Sequence, residues 1–118
     1  MERAEIIAWR KQKRDELIAT RMASPQAAHA EAHAAIVRRL DTCFEAVEPC
    51  LVGAYWPFRR EFNVLPALDG LLARGFTVAL PVVLGKGRPL EFRHWDRQTK
   101  LASGVYDIPY PAEGAPIW

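Results

Sequence analysis

Charged residues that follow an apolar run in mid-chain are the strongest candidates for chemistry. The run over 51–56 is typical of a β-strand, and Pro57 ends it because proline cannot donate to a sheet ladder. Arg59, Arg60 and Glu61 come soon after it. Open α/β sheets bind ligands at the carboxyl ends of their strands, so Glu61 is a candidate ligand contact. On the residues alone, a surface ion pair with a neighbouring arginine is the simpler interpretation.

The predicted first helix, residues 3–21, carries a second set of candidates. It contains no glycine or proline and is rich in helix formers. Arg10 and Arg14 are one turn apart, so both guanidinium groups can reach the same phosphate or carboxylate. The alternative is that the arginine stems cover apolar surface while their heads reach water. A helical wheel places four arginines inside the apolar sector of this helix: Arg3, Arg10, Arg14 and Arg21.

The remaining pattern predicts an α/β chain. A strand, a helix and a second strand in succession predict a parallel pair with a right-handed crossover. From Leu101 onward, glycines and prolines exclude a long regular element. The predicted elements after the first helix are a helix over 25–44, strands over 51–56, 76–81 and 90–95, a helix over 64–73 and a turn at 85–87.

Length and composition exclude several classes of protein. The 118 residues have the length of one domain, and a net charge of +2 is small for a nucleic-acid-binding protein. No apolar stretch approaches the roughly 20 residues that span a bilayer, and the start of the chain is not a secretory signal. With Cys43 and Cys50 as free thiols, we expect a cytoplasmic protein without nucleic-acid or membrane partners.

A pair of histidines lies on the predicted second helix. His29 and His33 are four residues apart and could share a metal ion. The sequence offers no HExxH pattern and no third ligand nearby. We therefore favour a solvent-facing helix surface and predict no metal site built from protein side chains.

Five segments of the chain together carry a resemblance to a known family. They are the basic residues 10–14, the strand and loop of 55–61, and the segments 71–81, 90–95 and 104–111. In this order and spacing they resemble the amino-terminal portion of 5-formyltetrahydrofolate cyclo-ligase, also called methenyltetrahydrofolate synthetase. The resemblance implies a parallel-sheet-containing, three-layer α/β domain of the cyclo-ligase type, apparently truncated, with residues 1–118 as one domain.

The resemblance also implies an activity and roles for individual residues. The activity is a ligase reaction of folate one-carbon metabolism: ATP-dependent, Mg²⁺-requiring cyclisation of 5-formyltetrahydrofolate to 5,10-methenyltetrahydrofolate. Arg10 and Arg14 match phosphate-contacting positions and are expected to bind ATP. Glu61 matches a carboxylate that orients the folate, and Tyr106 an aromatic that packs on the pterin. Trp56 is expected to line the substrate pocket, with a place in the apolar core as the alternative.

The chain also departs from the family pattern. Family members continue into further strands and a glycine-rich segment with a Tyr-Asp-Arg signature, which this sequence lacks, so we expect a fragment with impaired activity. Asp107 and Tyr110 stand where many members have glycine and glutamate. An open sheet edge favours self-association or a partner chain. The alternative function is a non-catalytic folate- or nucleotide-binding remnant. The enzyme interpretation requires the helix arginines and Glu61 to face one cleft.

Overall fold

The part of the chain that the structure describes folds into three helices and two small sheets. The computed structural model describes residues 2–104 and 107–118. Within that part, no helix combines the length and the apolar character needed to cross a membrane. The helices are α1 (Arg3–Ala23), α2 (Gln26–Phe44) and α3 (Leu65–Ala73), and the strands are β1 (Leu51–Gly53), β2 (Thr77–Val82), β3 (Glu91–Trp95), β4 (Leu101–Ser103) and β5 (Pro109–Pro111).

The larger sheet is mixed and has the order β1-β2-β3. β1 and β2, which flank α3, pair in parallel with Leu51 opposite Thr77. β3 pairs antiparallel to β2 because a turn reverses the chain, with the Arg88 N–H donating to the carbonyl of Gly85 at 3.2 Å. The fold is therefore mixed α/β, and the three-layer arrangement stays a prediction.

The core lies between α3 and one face of this sheet. Leu68 and Leu71 project from α3 at helical spacing and are buried. They pack against Val78, Leu80 and Trp95, which share one sheet face because strand side chains alternate. Burial of apolar area here is the main stabilising contribution that positions the strand ends.

Arginine side chains tie the ends of the elements together. The Arg74 guanidinium donates to the carbonyl of Phe44 at 2.8 Å and so caps the carboxyl end of α2. Arg97 forms a bidentate pair with Asp69 of α3 at 2.7 and 2.6 Å. These contacts hold α3 between the second helix and the sheet.

Helix α1 stands largely apart from this core. It has 21 residues and none is buried. The radius of gyration is 16.8 Å, whereas a compact domain of this length has about 13.5 Å. Side-chain hydrogen bonds join its carboxyl end, at Arg21 and Met22, to the loop after β1. The position of α1 therefore depends on that loop.

The first strand ends earlier than predicted, whereas the described residues after Leu101 form only short strands, as the sequence predicted. β1 ends at Gly53 rather than Trp56, because the chain leaves the sheet after Ala54 and turns its aromatic side chains towards a pocket. The segment after Leu101 contains the short hairpin β4–β5, and residues 116–118 lie along β3 through the Trp118 N–H to Phe92 carbonyl bond of 2.9 Å. A strand of three residues is too short to show an alternation of apolar and polar residues in the sequence.

The core assignment predicts a large difference between two leucines on helices. Leu68→Ala removes a side chain that is 2% exposed and should lower the free energy of unfolding by about 3 kcal/mol. Leu17→Ala, at a position that is 67% exposed, should change it by less than about 0.5 kcal/mol. Urea unfolding midpoints measure both variants, and equal shifts would contradict this assignment of the core.

Candidate functional site

The loop of residues 58–63 is built around a tight turn that carries Glu61. The Glu61 N–H donates to the Phe58 carbonyl at 3.1 Å, and the two residues between them, Arg59 and Arg60, have φ of 50° and 59°. Two positive φ angles with this bond are the mark of a type I′ turn. Non-glycine residues occupy the left-handed region at a cost of roughly 1–3 kcal/mol each. The turn therefore needs support from outside.

The Glu61 side chain supplies part of that support. One carboxylate oxygen accepts the Phe58 N–H at 2.8 Å, so Glu61 bonds Phe58 through both its backbone and its side chain. The side chain is half-buried. This contradicts a surface ion pair as the main role of Glu61, because the carboxylate orders the turn in which it lies.

Side chains from three other elements donate to carbonyls of the same loop. Each carbonyl oxygen accepts one bond, and the donors come from the end of α1, from the first half of α2 and from the segment after β1. The bonds are Arg21 Nε to Arg59 at 2.8 Å, His29 Nε2 to Arg60 at 3.1 Å, Tyr55 Oη to Phe62 at 3.0 Å and His33 Nε2 to Asn63 at 2.9 Å.

Arg60 also anchors the loop through its own side chain. Its guanidinium donates to the carbonyls of Met22 and Ser24 at 2.9 and 2.8 Å. These carbonyls lie at the carboxyl end of α1, where a helix has unsatisfied acceptors and partial negative charge. Arg60 therefore caps α1 while its backbone forms the turn.

A pocket of about 420 Å³ opens at the carboxyl edge of β1 and β2. None of residues 58–63 lines it, and Tyr55 connects it to the loop by donating to the Phe62 carbonyl. Trp56 is half-buried there and meets the Trp95 ring edge to face at a centroid distance of 6.3 Å. Trp56 therefore lines this pocket and also packs against the core, and its contact with a substrate stays a prediction. The walls of this strand-end pocket are mostly apolar and rich in rings: Tyr55, Trp56, Pro81, Val83, Leu90, Gly104, Ile108, Pro109 and Tyr110.

The β4–β5 hairpin forms the far wall of the strand-end pocket. Gly104 packs so closely on the Tyr110 ring that an added Cβ would lie 2.8 Å from two ring atoms. Asp107 has φ of 59°, in the left-handed region that glycine adopts most readily. Tyr106, the expected pterin contact, lies outside the described residues.

Arg10 and Arg14 line a groove along α1, here called the arginine groove. Both side chains are exposed, and within residues 2–104 and 107–118 neither guanidinium has a hydrogen-bond or ion-pair partner. The neighbouring lysines pair with carboxylates on the same helix, Lys11 with Asp15 at 3.2 Å. The cationic and apolar side chains that line the groove are Ile7, Trp9, Arg10, Lys11, Lys13, Arg14, Leu17, Ile18 and Arg21.

The arginine groove meets the loop at Arg21 and not at Glu61. Glu61 is absent from the residues that line the groove, whereas Arg21 lines it and also donates to the Arg59 carbonyl. Arg14 is seven residues from Arg21, about 10 Å along the helix axis. A common cleft for the helix arginines and Glu61 therefore stays a prediction.

The two histidines have a role that the sequence did not reveal. The interpretation as a solvent-facing surface was wrong, because each ring nitrogen bonds a loop carbonyl more than 29 residues away. Among the described residues no group of three or more His, Cys, Asp or Glu could hold a metal ion. Their i, i+4 spacing was visible in the sequence, but nothing in the sequence indicated the partner.

The Tyr55 phenol reports on the charge of Glu61. Burial raises the pKa of Tyr55, and the negative charge of Glu61 raises that pKa further. Glu61→Gln keeps an oxygen that can accept the Phe58 N–H and removes the charge. The Tyr55 pKa should then fall part of the way towards its usual value, since burial remains.

Absorbance titration of the phenolate tests this prediction in a Tyr106→Phe, Tyr110→Phe background, where Tyr55 is the remaining tyrosine. Glu48→Gln, at an exposed position before β1, is the matched control and should leave the Tyr55 pKa unchanged. An unchanged pKa in Glu61→Gln would show that the carboxylate does not face the phenol.

Comparisons with known proteins bear on the fold. No family model matches the chain, and no curated protein matches its sequence. Among solved structures, the chain is similar to the NMR structure of the 5,10-methenyltetrahydrofolate synthetase of Aquifex aeolicus, with a TM-score of 0.67 and 17% sequence identity. The match covers 88% of this chain and 52% of that protein, so the chain spans about half of its length. The mixed α/β fold is shared with the synthetase over most of the present chain.

Proposed function

We propose that this chain binds 5-formyltetrahydrofolate and takes part in its ATP-dependent cyclisation to 5,10-methenyltetrahydrofolate, as the amino-terminal part of a cyclo-ligase-like domain over residues 1–118. The observation that carries the proposal is the strand-end pocket, which lies next to the loop of Glu61 in a fold similar to that of a methenyltetrahydrofolate synthetase. Ligands of open α/β sheets bind at this edge.

The walls of the pocket suit a flat heteroaromatic ring. A volume of about 420 Å³ lies within the range of small-molecule sites. The rings of Tyr55, Trp56 and Tyr110 offer faces on which a pterin can stack. Glu61 does not itself line the pocket, but its negative charge raises the pKa of Tyr55, which does. We expect its carboxylate to orient polar groups of the substrate from the edge of the pocket.

The hydrogen-bond donors of the arginine groove suit the phosphates of ATP. Arg10 and Arg14 would hold phosphate oxygens, because guanidinium groups donate bidentately to them. When bound, ATP supplies the phosphoryl group that makes the formyl oxygen a leaving group. The described residues form no carboxylate cluster for Mg²⁺, which fits an ion held largely by phosphate oxygens and water.

A second candidate function is non-catalytic binding of folate or nucleotide in a complex with a partner chain. The separation of the arginine groove from the strand-end pocket favours this function, because residues of α1 alone line the groove. Turnover separates the two candidates: release of ADP and phosphate with formation of the methenyl product supports the enzyme, whereas binding without turnover supports the second function.

Binding of 5-formyltetrahydrofolate should raise the thermal unfolding midpoint of the chain. A ligand at 100 times its dissociation constant stabilises the native state by about 2.7 kcal/mol. Leu90→Asp puts a carboxylate on the pocket wall and should remove the shift. Leu84→Asp is the control, because Leu84 lies in the same connection between β2 and β3 but does not line this pocket. Equal shifts in both variants would place the folate elsewhere.

Variants at the two predicted binding sites should affect different ligands. Arg14→Ala should weaken ATP binding about 10-fold or more, because it removes one charge-assisted hydrogen bond. It should leave folate binding unchanged. Glu61→Gln should weaken folate binding and leave ATP binding unchanged. Arg39→Ala, an exposed arginine of α2, is the control for the general loss of positive charge. Calorimetric titration with each ligand measures these effects, and parent-like affinities in both site variants would refute the assignments.

A further inference from the structure

We propose that His29 and His33 are positioning residues, which hold the loop of residues 58–63 so that Glu61 is presented to the folate. This inference rests on the proposed function for the identity of the ligand. The hold on the loop itself rests on geometry alone. His29 Nε2 lies 3.1 Å from the Arg60 carbonyl oxygen, and His33 Nε2 lies 2.9 Å from that of Asn63.

The chemistry of the two bonds fixes their direction. A carbonyl oxygen can only accept, so each Nε2 carries a proton and donates it. The i, i+4 spacing puts both donors on one face of α2, and their acceptors are three residues apart in the loop. The His33 ring also packs on the Phe62 ring at a centroid distance of 4.8 Å. The histidine pair therefore matches the backbone of this loop in both polarity and spacing.

The loop needs this hold because its turn is unfavourable alone. Arg59 and Arg60 both have positive φ, and the surrounding contacts must oppose their relaxation. Hydrogen bonds with the end of α1 secure one side: Arg21 donates to the Arg59 carbonyl, and Arg60 donates to the carbonyls of Met22 and Ser24. The histidines secure the other side from α2. Arg60 is thus held by α1 through its guanidinium and by α2 through its carbonyl.

Glu61 lies between the two carbonyls that the histidines hold. Its carboxylate is directed by the bond to the Phe58 N–H inside the turn. If the carbonyls of Arg60 and Asn63 are released, the turn can open and Glu61 loses its fixed direction beside Tyr55. The expected consequence is weaker folate binding with unchanged ATP binding, since the exposed guanidinium groups of Arg10 and Arg14 lie outside the loop.

Glutamine and alanine variants test the proposal together. The side-chain amide of glutamine can donate from nearly the position of a histidine Nε2, whereas alanine cannot donate. In the His29→Ala, His33→Ala variant, amide exchange at Phe58 and Glu61 and tryptic cleavage after Arg59 and Arg60 should accelerate about 30-fold, the loss of two ordinary hydrogen bonds. The double glutamine variant should stay within about 3-fold of the parent.

Glu31→Ala is the matched control, because Glu31 lies on α2 between the two histidines and is exposed. It should change neither exchange nor cleavage. If the double alanine variant fails to fold, the single variants His29→Ala and His33→Ala give the same test, each with an expected acceleration of about 5-fold. Parent-like protection in the alanine variants, or equal loss in the glutamine variants, would overturn the hold on the loop.

Ligand binding tests the positioning role separately. In the alanine variants the affinity for 5-formyltetrahydrofolate should fall about 10-fold and recover with glutamine, while the affinity for ATP stays constant. An opened loop with undiminished folate affinity would overturn the positioning role. If the parent chain binds no folate, the proposed function is refuted, and with it this role for Glu61. If the loop still opens in the alanine variants of that chain, the support of the loop by the histidines is established.

Discussion

The turn at residues 58–61 is the constraint on which the arrangement of the helices depends. Two consecutive arginines with positive φ relax unless their backbone groups are held. Arg21 of α1 and His29 of α2 donate to their carbonyls, and Tyr55, after β1, donates to the nearby Phe62 carbonyl. The same hydrogen bonds that support the loop therefore also fix the helices against the strand end. Buried apolar contacts contribute little to the positions of α1 and α2, because neither helix has a buried residue.

This arrangement separates two kinds of surface that different ligands require. The strand-end pocket is lined by rings and aliphatic side chains, and one of these residues, Tyr55, bonds the loop through its phenol. The arginine groove is cationic and exposed, with apolar side chains between its charges. An aromatic ring gains from the first surface and phosphate oxygens from the second. Arg21 belongs to the groove and holds the loop, so it is the physical link between the two.

Local patterns in the sequence predicted the elements, whereas contacts between distant residues decided the site. The sequence predicted a helix over 64–73 and a strand over 76–81, and the structure has α3 (Leu65–Ala73) and β2 (Thr77–Val82) there. The first strand ends at Gly53, earlier than Pro57 predicted, and Glu61 became a candidate because it follows that strand. The roles of Arg60 and His29 did not follow, because their partners lie 31 to 38 residues away and no periodicity encodes them. The hairpin wall of the pocket was missed because strands of three residues leave no pattern.

The exposure of α1 determines which of its arginines can act with the loop. A helix of this length without buried residues is stabilised by local contacts, such as the capping box at Glu2 and the Lys11–Asp15 pair, and each is worth less than about 1 kcal/mol. Its amino end is therefore the more easily frayed, whereas its carboxyl end is fixed by the Arg60 cap. Arg14 is nearer to that fixed end than Arg10. In the proposed function, Arg14 would therefore hold a phosphate nearer to the loop, and Arg10 would act from one turn further away.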